Sequence, residues 1–353
     1  MTFERQCLFW LATFGALILA LWLLSEILLP FIAGMAIAYL LNPLTNRLQS
    51  IGIGRRVAAL LIVGIAVLTF ILLALLIVPL LADQLSALIS HIPGYVTRLQ
   101  ALLFDPNRPW LQKLVGGEDA SKTIGDLVTQ GAVWLTGFIR SLWSGGQALI
   151  SIFSLMVVTP VVAFYLICDW PRIVATVDAW IPLPHRDTVH ALAREIDAAI
   201  AGFVRGQSGV CLILGSFYAT SLSLVGLNFG LLIGLISGLI TFVPYVGSMT
   251  GLVLSVGVAV AQFWPDWTWI AVVVAIFLIG QFFEGYILGP KLVGENVGLH
   301  PVWLMFAILA FGYLFGFVGL LVAVPLAAAI GVLLRFALRS YRASPFYTGA
   351  GTG

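Results

Sequence analysis

Between Gly206 and Leu334 the chain carries four formal charges, Asp266, Glu284, Lys291 and Glu295, set among long apolar runs. A charge at the centre of a bilayer costs about 2.5 to 3.5 kcal/mol on insertion scales, so those that persist in such a stretch either lie in loops or have work to do. This half of the chain is therefore expected to sit largely in lipid. Glu284 is the charge that looks deepest.

The whole chain agrees with its C-terminal half: 61% of the 353 residues are hydrophobic, 9% are charged, and the mean hydropathy is +1.09. The apolar runs are continuous rather than alternating, which excludes a β-barrel. The expected fold class is an all-α polytopic membrane protein. It would have about six to eight membrane segments, two of them broken hairpins, plus an extramembrane helical insert. A formal net charge of +2 gives no reason to expect nucleic acid as a partner. Cys7, Cys168 and Cys211 are far apart, so neither a disulfide framework nor a zinc site is indicated, and no metal or cofactor is expected. The run from Cys7 to Leu24 lacks the cleavage site of a signal peptide and reads as a retained first span.

Five regions follow from the pattern. Residues 1–82 hold three spans, near 7–24, 27–41 and 57–81, with a break at Ser25 and Glu26. Residues 83–145 carry regular charges, a break over Asp105 to Pro109, and a helical stripe of Leu85, Leu88, Ile89, Ile92, Val96 and Leu99. They are expected to form an extramembrane amphipathic domain. Residues 146–205 give a fourth span and a polar helical segment, residues 206–340 the transmembrane core, and residues 341–353 a polar tail. Arg5 precedes the first span, while Arg47, Arg55 and Arg56 lie between the second and third. Basic residues favour the cytoplasmic side, so the N-terminus is expected inside.

The C-terminal core shows local self-similarity at an offset of 72 residues. Gly226-Leu227-Asn228 matches Gly298-Leu299-His300, and Val246-Gly247 matches Val318-Gly319. Gly206-Gln207 and Gly280-Gln281 fit with a slip of two. Each copy, 206–263 and 268–338, would be one span followed by a Gly- or Pro-broken hairpin. The copies would insert in opposite senses, with the C-terminus and its arginines Arg335, Arg339 and Arg342 inside. Ordinary spans in which Gly and Pro serve packing are the other reading. Glycines at 226, 230, 234 and 238, at 247 and 251, and at 312 and 316 recur every fourth residue, a spacing that lets helices approach closely in lipid.

Candidate site residues come from the same core. Glu284 follows Gln281 by three positions, so the carboxylate and the amide share a helix face. A buried carboxylate suits a proton-coupled carrier, because it can load and release a proton; at a membrane edge, hydrated or paired with Lys291, it would only anchor the helix. Pro244, Tyr245 and Gly247 would form the tip of the first hairpin, and Gly316 with Gly319 the second. Backbone groups at such tips bind solutes or ions in other carriers. Asn228 and His300 occupy matching hairpin entrances, although a His just before a Pro is commonly a helix cap.

Several segments carry a family resemblance. The run VAFYLICDW ending at Trp170, FVRGQ (203–207), FVPYVGS (242–248), ILGPKLVGENVGLHPVW (287–303), GLLVAVPLAAAIGVLLRF (319–336) and PFIAGMAIAYLLNPL (30–44) resemble the autoinducer-2 exporter (AI-2E) family of bacterial permease-like proteins. The likeness runs over nearly the whole chain. It departs at Phe311-Gly312, where the family often shows paired Gly. The resemblance implies a multi-pass transporter of the bacterial inner membrane. Its family name comes from export of autoinducer-2, and other members are described as sodium (or lithium)/proton antiporters.

Residues and resemblance together point to a secondary transporter, an exporter of a small polar solute, with protons or sodium ions as coupling partners and the lipid bilayer as its surroundings. No phosphate-cradling Walker loop occurs, so a self-contained ATP-driven pump is excluded. An oligomeric pore is the alternative within transport, and the Gly-rich faces favour a homo-oligomer. An accessory scaffold protein is the alternative of another class. An enzyme is not expected: no His-Glu-x-x-His occurs, and His91, His185 and His190 lie in the polar segments.

Overall fold

The computed structural model describes residues 12–13, 15–16, 19–103, 130, 133, 146–244, 246–293, 300–344 and 347. The described residues are helical apart from short turns and connections, with no strand among them. In chain order the long helices are α1 (Ser25–Ser50), α2 (Arg55–Leu103), α3 (Gly146–Asp178), α4 (Arg186–Leu224), α5 (Gly230–Ile240), α6 (Val246–Phe263), α7 (Trp267–Phe283) and α8 (Pro301–Arg342). Among the described residues seven helices are long and apolar enough to cross a membrane. The protein is thus an all-α polytopic membrane protein. The outward faces of α2 carry Leu60, Ile65, Leu68, Leu72, Leu75 and Leu76, a surface that only lipid or another apolar partner can cover.

Residues 7–11, 14, 17 and 18 of the predicted first span, 7–24, lie outside the described residues, as does most of the insert beyond Leu103. Where the insert is described, α2 runs without interruption across residue 82. The polar side chains that begin at Asp83 change the surroundings of the helix without breaking its hydrogen bonds. In the same way α4 is continuous across residue 205.

The chain divides into two compact units. The first comprises residues 1–67, 154–207 and 290–353. Its core joins Ala38 and Leu41 of α1 with Ala59, Ile62 and Val63 of α2 and Ile167 of α3. Gly34 brings α1 close to α3, since a Cβ there would lie 2.8 Å from Val162. Two prolines inside helices shape the polar contacts of this unit. A proline lacks the N–H that would bond the carbonyl four residues earlier, so Pro43 frees the carbonyl of Tyr39 and Pro171 frees that of Ile167. Both freed oxygens are taken by arginine: Arg205 Nε donates to Tyr39 O at 3.1 Å, and Arg55 Nε donates to Ile167 O at 2.7 Å. Arg55 also reaches Gln49 Oε1 at 3.1 Å and Asn42 Oδ1 at 3.4 Å.

Helix α8 belongs to this unit and is not one rod. At Gly316 the backbone turns to φ 59°, ψ −139°, a region essentially closed to residues with a side chain. A Cβ on Gly312 would lie 2.7 Å from Leu320 Cδ2, and one on Gly319 would lie 2.6 Å from the carbonyl carbon of Phe311. Residues eight apart in a straight helix are about 12 Å apart, so the two arms fold back on each other at Gly316. Arg335 Nη2 then meets Glu195 Oε1 at 3.3 Å.

The second unit comprises residues 68–153 and 208–289. Here the glycines every fourth residue do the packing. On α5, a Cβ at Gly230 would lie 2.8 Å from the backbone of Leu222, one at Gly234 2.6 Å from that of Tyr218, and one at Gly238 2.6 Å from that of Gly215. The contacts run in opposite chain directions, so α5 lies antiparallel on α4 with almost no space between backbones. After Ile240 the chain turns through residues 241–244 and returns as α6, where a Cβ on Gly251 would lie 2.7 Å from Ser237 Cβ. The eleven residues of α5 extend only about 16 Å, roughly half the hydrocarbon layer.

Candidate functional site

Helix α7 carries no charge from Trp267 to Phe283. Asp266 caps its N-terminus, its Oδ1 accepting from Thr268 N at 3.0 Å, and Trp264 and Trp267 pack edge to face beside it with centroids 4.5 Å apart. Indole rings at this position suit a membrane interface. Glu284 comes at the other end, about 27 Å along the axis from Asp266. It therefore lies past the middle of the apolar span, which runs from Trp267 to Val293.

At Glu284 the α-helix gives way to a π-helical stretch over Glu284–Val293 with Pro290 inside it. Long π segments are rare and frequent at functional sites, because the wider turn redirects side chains. Nothing in the sequence pattern signals it. Gln281 Nε2 donates to Glu284 Oε2 at 3.3 Å, so the structure joins these two candidate residues. Glu284 itself is half-buried.

The face opposite belongs to α4. Tyr218 stacks on Phe277 with centroids 4.5 Å apart and planes 19° apart, and Phe217 approaches Phe283 at 6.5 Å. Tyr218 meets Phe277 and the preceding Phe217 meets the later Phe283, so the helices run antiparallel, with Glu284 toward Cys211, two turns earlier on α4.

The remaining candidates are distributed. Pro244 sits in the turn between α5 and α6, followed by Gly247, where an added Cβ would lie 2.5 Å from Thr241 Cα. Tyr245 lies outside the described residues. Gly316 and Gly319 form the fold of α8. His300 caps α8, its Nδ1 accepting from Val302 N at 3.3 Å. The backbone N–H of Asn228 donates to Gln262 Oε1 at 2.8 Å, while Gln262 Nε2 donates to Gly226 O at 2.8 Å. Gln262, absent from the candidates read in the sequence, thus clamps the hairpin entrance. Gln84 does similar work, accepting from Leu232 N at 3.1 Å and so satisfying one of the amides left over at the start of α5.

A second polar cluster lies in the first unit. Tyr39, Asn42, Trp170, Asp197 and Arg205 line a cavity of about 80 Å³. Tyr39 Oη donates to Asp197 Oδ1 at 2.9 Å. Tyr39, Asp197 and Arg205 thereby tie α1 to α4, while Asn42 accepts from Arg55 of α2. Among the described residues no group of three or more His, Cys, Asp or Glu is placed to hold a metal.

The model of the family described as "AI-2E family transporter" matches residues 11–339. The chain belongs to the AI-2E transporter family. Relatives extend over nearly their full lengths. YrrI of Bacillus subtilis (strain 168) is 31% identical over 333 residues, 90% of this chain and 89% of that protein. PerM of Escherichia coli (strain K12) is 28% identical over 317 residues, 88% of this chain and 87% of PerM. TqsA of the same strain, named an AI-2 transport protein, is 25% identical over 317 residues, 88% of this chain and 86% of TqsA. This transporter is accordingly a multi-pass membrane protein, and its chemistry is that of moving a solute.

Proposed function

We propose that the protein is a secondary exporter of a small polar solute such as autoinducer-2, driven by a proton or sodium gradient, with Glu284 as the coupling carboxylate. The observation that carries this reading is the place of Glu284. It ends a helix otherwise free of charge, at a π-helical transition, half-buried, with the Gln281 amide beside it and α4 facing it. A carboxylate near one aqueous face yet turned toward protein can exchange an ion with that face and pass the consequence to its neighbours.

The core is proposed to be an inverted repeat of residues 206–263 and 268–338. Supporting it, the turn at Pro244 and the fold at Gly316 lie 72 residues apart, the same offset as the sequence match. In each hairpin the glycine three residues on, Gly247 or Gly319, packs on the arm before it. The arginines near both ends favour cytoplasmic termini in a bacterial inner membrane. The test is uptake of labelled autoinducer-2 into everted vesicles, with and without an uncoupler or sodium, for the wild type and Glu284→Gln. Uptake that collapses with both the gradient and the substitution is expected. Full uptake by Glu284→Gln removes Glu284 from the mechanism; sodium/proton exchange without solute uptake replaces the exporter by an antiporter; no flux of either kind leaves an accessory role.

A further inference from the structure

Tyr218 is 0% exposed, and its hydroxyl has no hydrogen-bond partner among the described residues. That is an anomaly with a cost, since a buried donor left unmade loses its hydration without return. A phenylalanine would fill the same space and keep the stacking on Phe277. The hydroxyl is also the part for which room has been made. It lies over Gly280, where a Cβ would sit 2.6 Å from Tyr218 Cζ.

Side chains on a helix lean toward its N-terminus, so a residue covers the surface of the turn before its own. Gly280 is one turn before Glu284. Glu284 thus stands one turn beyond the patch where the Tyr218 hydroxyl meets α7, with its side chain leaning back toward that patch. In the structure Gln281, on that same turn, holds the carboxylate instead. Among the described residues, the polar and titratable groups near Glu284 are Cys211 and Tyr218 from α4 and Gln281 from its own helix, with Phe217 and Phe283 packed beside them.

We propose that Tyr218 is a third member of the Glu284 site: its hydroxyl donates a hydrogen bond to the Glu284 carboxyl group when that group leaves Gln281 during the transport cycle. This rests on Glu284 being the coupling carboxylate. Tyr218 then positions the carboxyl group between α4 and α7, and Gly280 is glycine so that the phenol can reach it. The bond that Tyr218 lacks in one state is the one it makes in the other.

The experiment uses the full chain in phosphatidylethanolamine and phosphatidylglycerol liposomes, with pH-difference infrared spectra of the wild type, Glu284→Gln and Tyr218→Phe. Autoinducer-2 flux and thermal unfolding are measured on the same preparations. Glu284 is identified by the protonated-carboxyl band that disappears in Glu284→Gln. The expected result is that Tyr218→Phe moves this band to higher frequency, lowers flux by about tenfold, the upper end of the worth of one hydrogen bond between neutral groups, and leaves the unfolding temperature unchanged or raised. A purely structural tyrosine would move neither the band nor the flux. A band that stays in place in Tyr218→Phe overturns the role of Tyr218 and leaves that of Glu284 intact. If no carboxyl band is lost in Glu284→Gln, the Glu284 reading fails first and this one with it.

Discussion

The bond from Arg205 to Tyr39 can be tested by removing the reason for it. Pro43 deprives the Tyr39 carbonyl of its helical partner, and Arg205 Nε supplies a replacement at 3.1 Å. A hydrogen bond from a charged donor contributes about 1.5 to 3 kcal/mol, and the arginine is exposed, so Arg205→Leu is expected to cost about 1.5 kcal/mol, near the lower bound. Pro43→Ala restores a backbone N–H four residues after Tyr39. In that background the carbonyl is already served, and Arg205→Leu is expected to cost less than about 0.5 kcal/mol, a coupling of about 1 kcal/mol between residues 43 and 205. The assay is reversible denaturation in mixed micelles for the wild type, both single variants and the double variant. Equal costs of Arg205→Leu in the two backgrounds would refute the argument, and would place the value of Arg205 in its wall of the Tyr39 and Asp197 cavity instead.

Gly316→Ala is expected to cost about 1 to 3 kcal/mol although nothing crowds that position, because the penalty is in the backbone angles alone; a neutral result by thermal unfolding would mean that α8 does not fold at Gly316. Single cysteines at Val246 and Phe317, in a chain whose own cysteines are replaced, are expected to react with an impermeant maleimide from opposite sides of the membrane. Reaction from the same side would end the inverted repeat.

The all-α membrane architecture was legible because lipid enforces it: long apolar runs with few charges leave no other backbone arrangement satisfied. The packing role of the glycines at 230, 234 and 238 was legible too, since a four-residue period of missing side chains defines a face before any partner is known. The ends of helices were less so. Asp83 and Arg205 look like boundaries in a hydropathy profile, but a charged side chain does not interrupt a helix, and α2 and α4 continue through them. Least legible were contacts that depend on what a distant element lacks. That Arg205 serves a carbonyl 166 residues earlier, or that Tyr218 lies over Gly280, is a property of the fold and leaves no local pattern.

Those distant contacts change how the few charges of this chain should be weighed. Arg55 and Arg205 each close a gap that a proline opened in another helix, Asp266 caps α7, and Arg335 pairs with Glu195. Each of these has a partner that explains its presence by stability. Glu284 differs: its hydrogen bond at 3.3 Å goes to a neutral amide on its own helix, which neither joins two elements nor offsets the charge. A carboxylate kept half-buried on such terms costs stability, and that cost without a tie is the argument for the ion site proposed at Glu284. Because the Tyr218 hydroxyl is also unsatisfied and faces the same turn of α7, the two costs have a common explanation in a single bond made during transport.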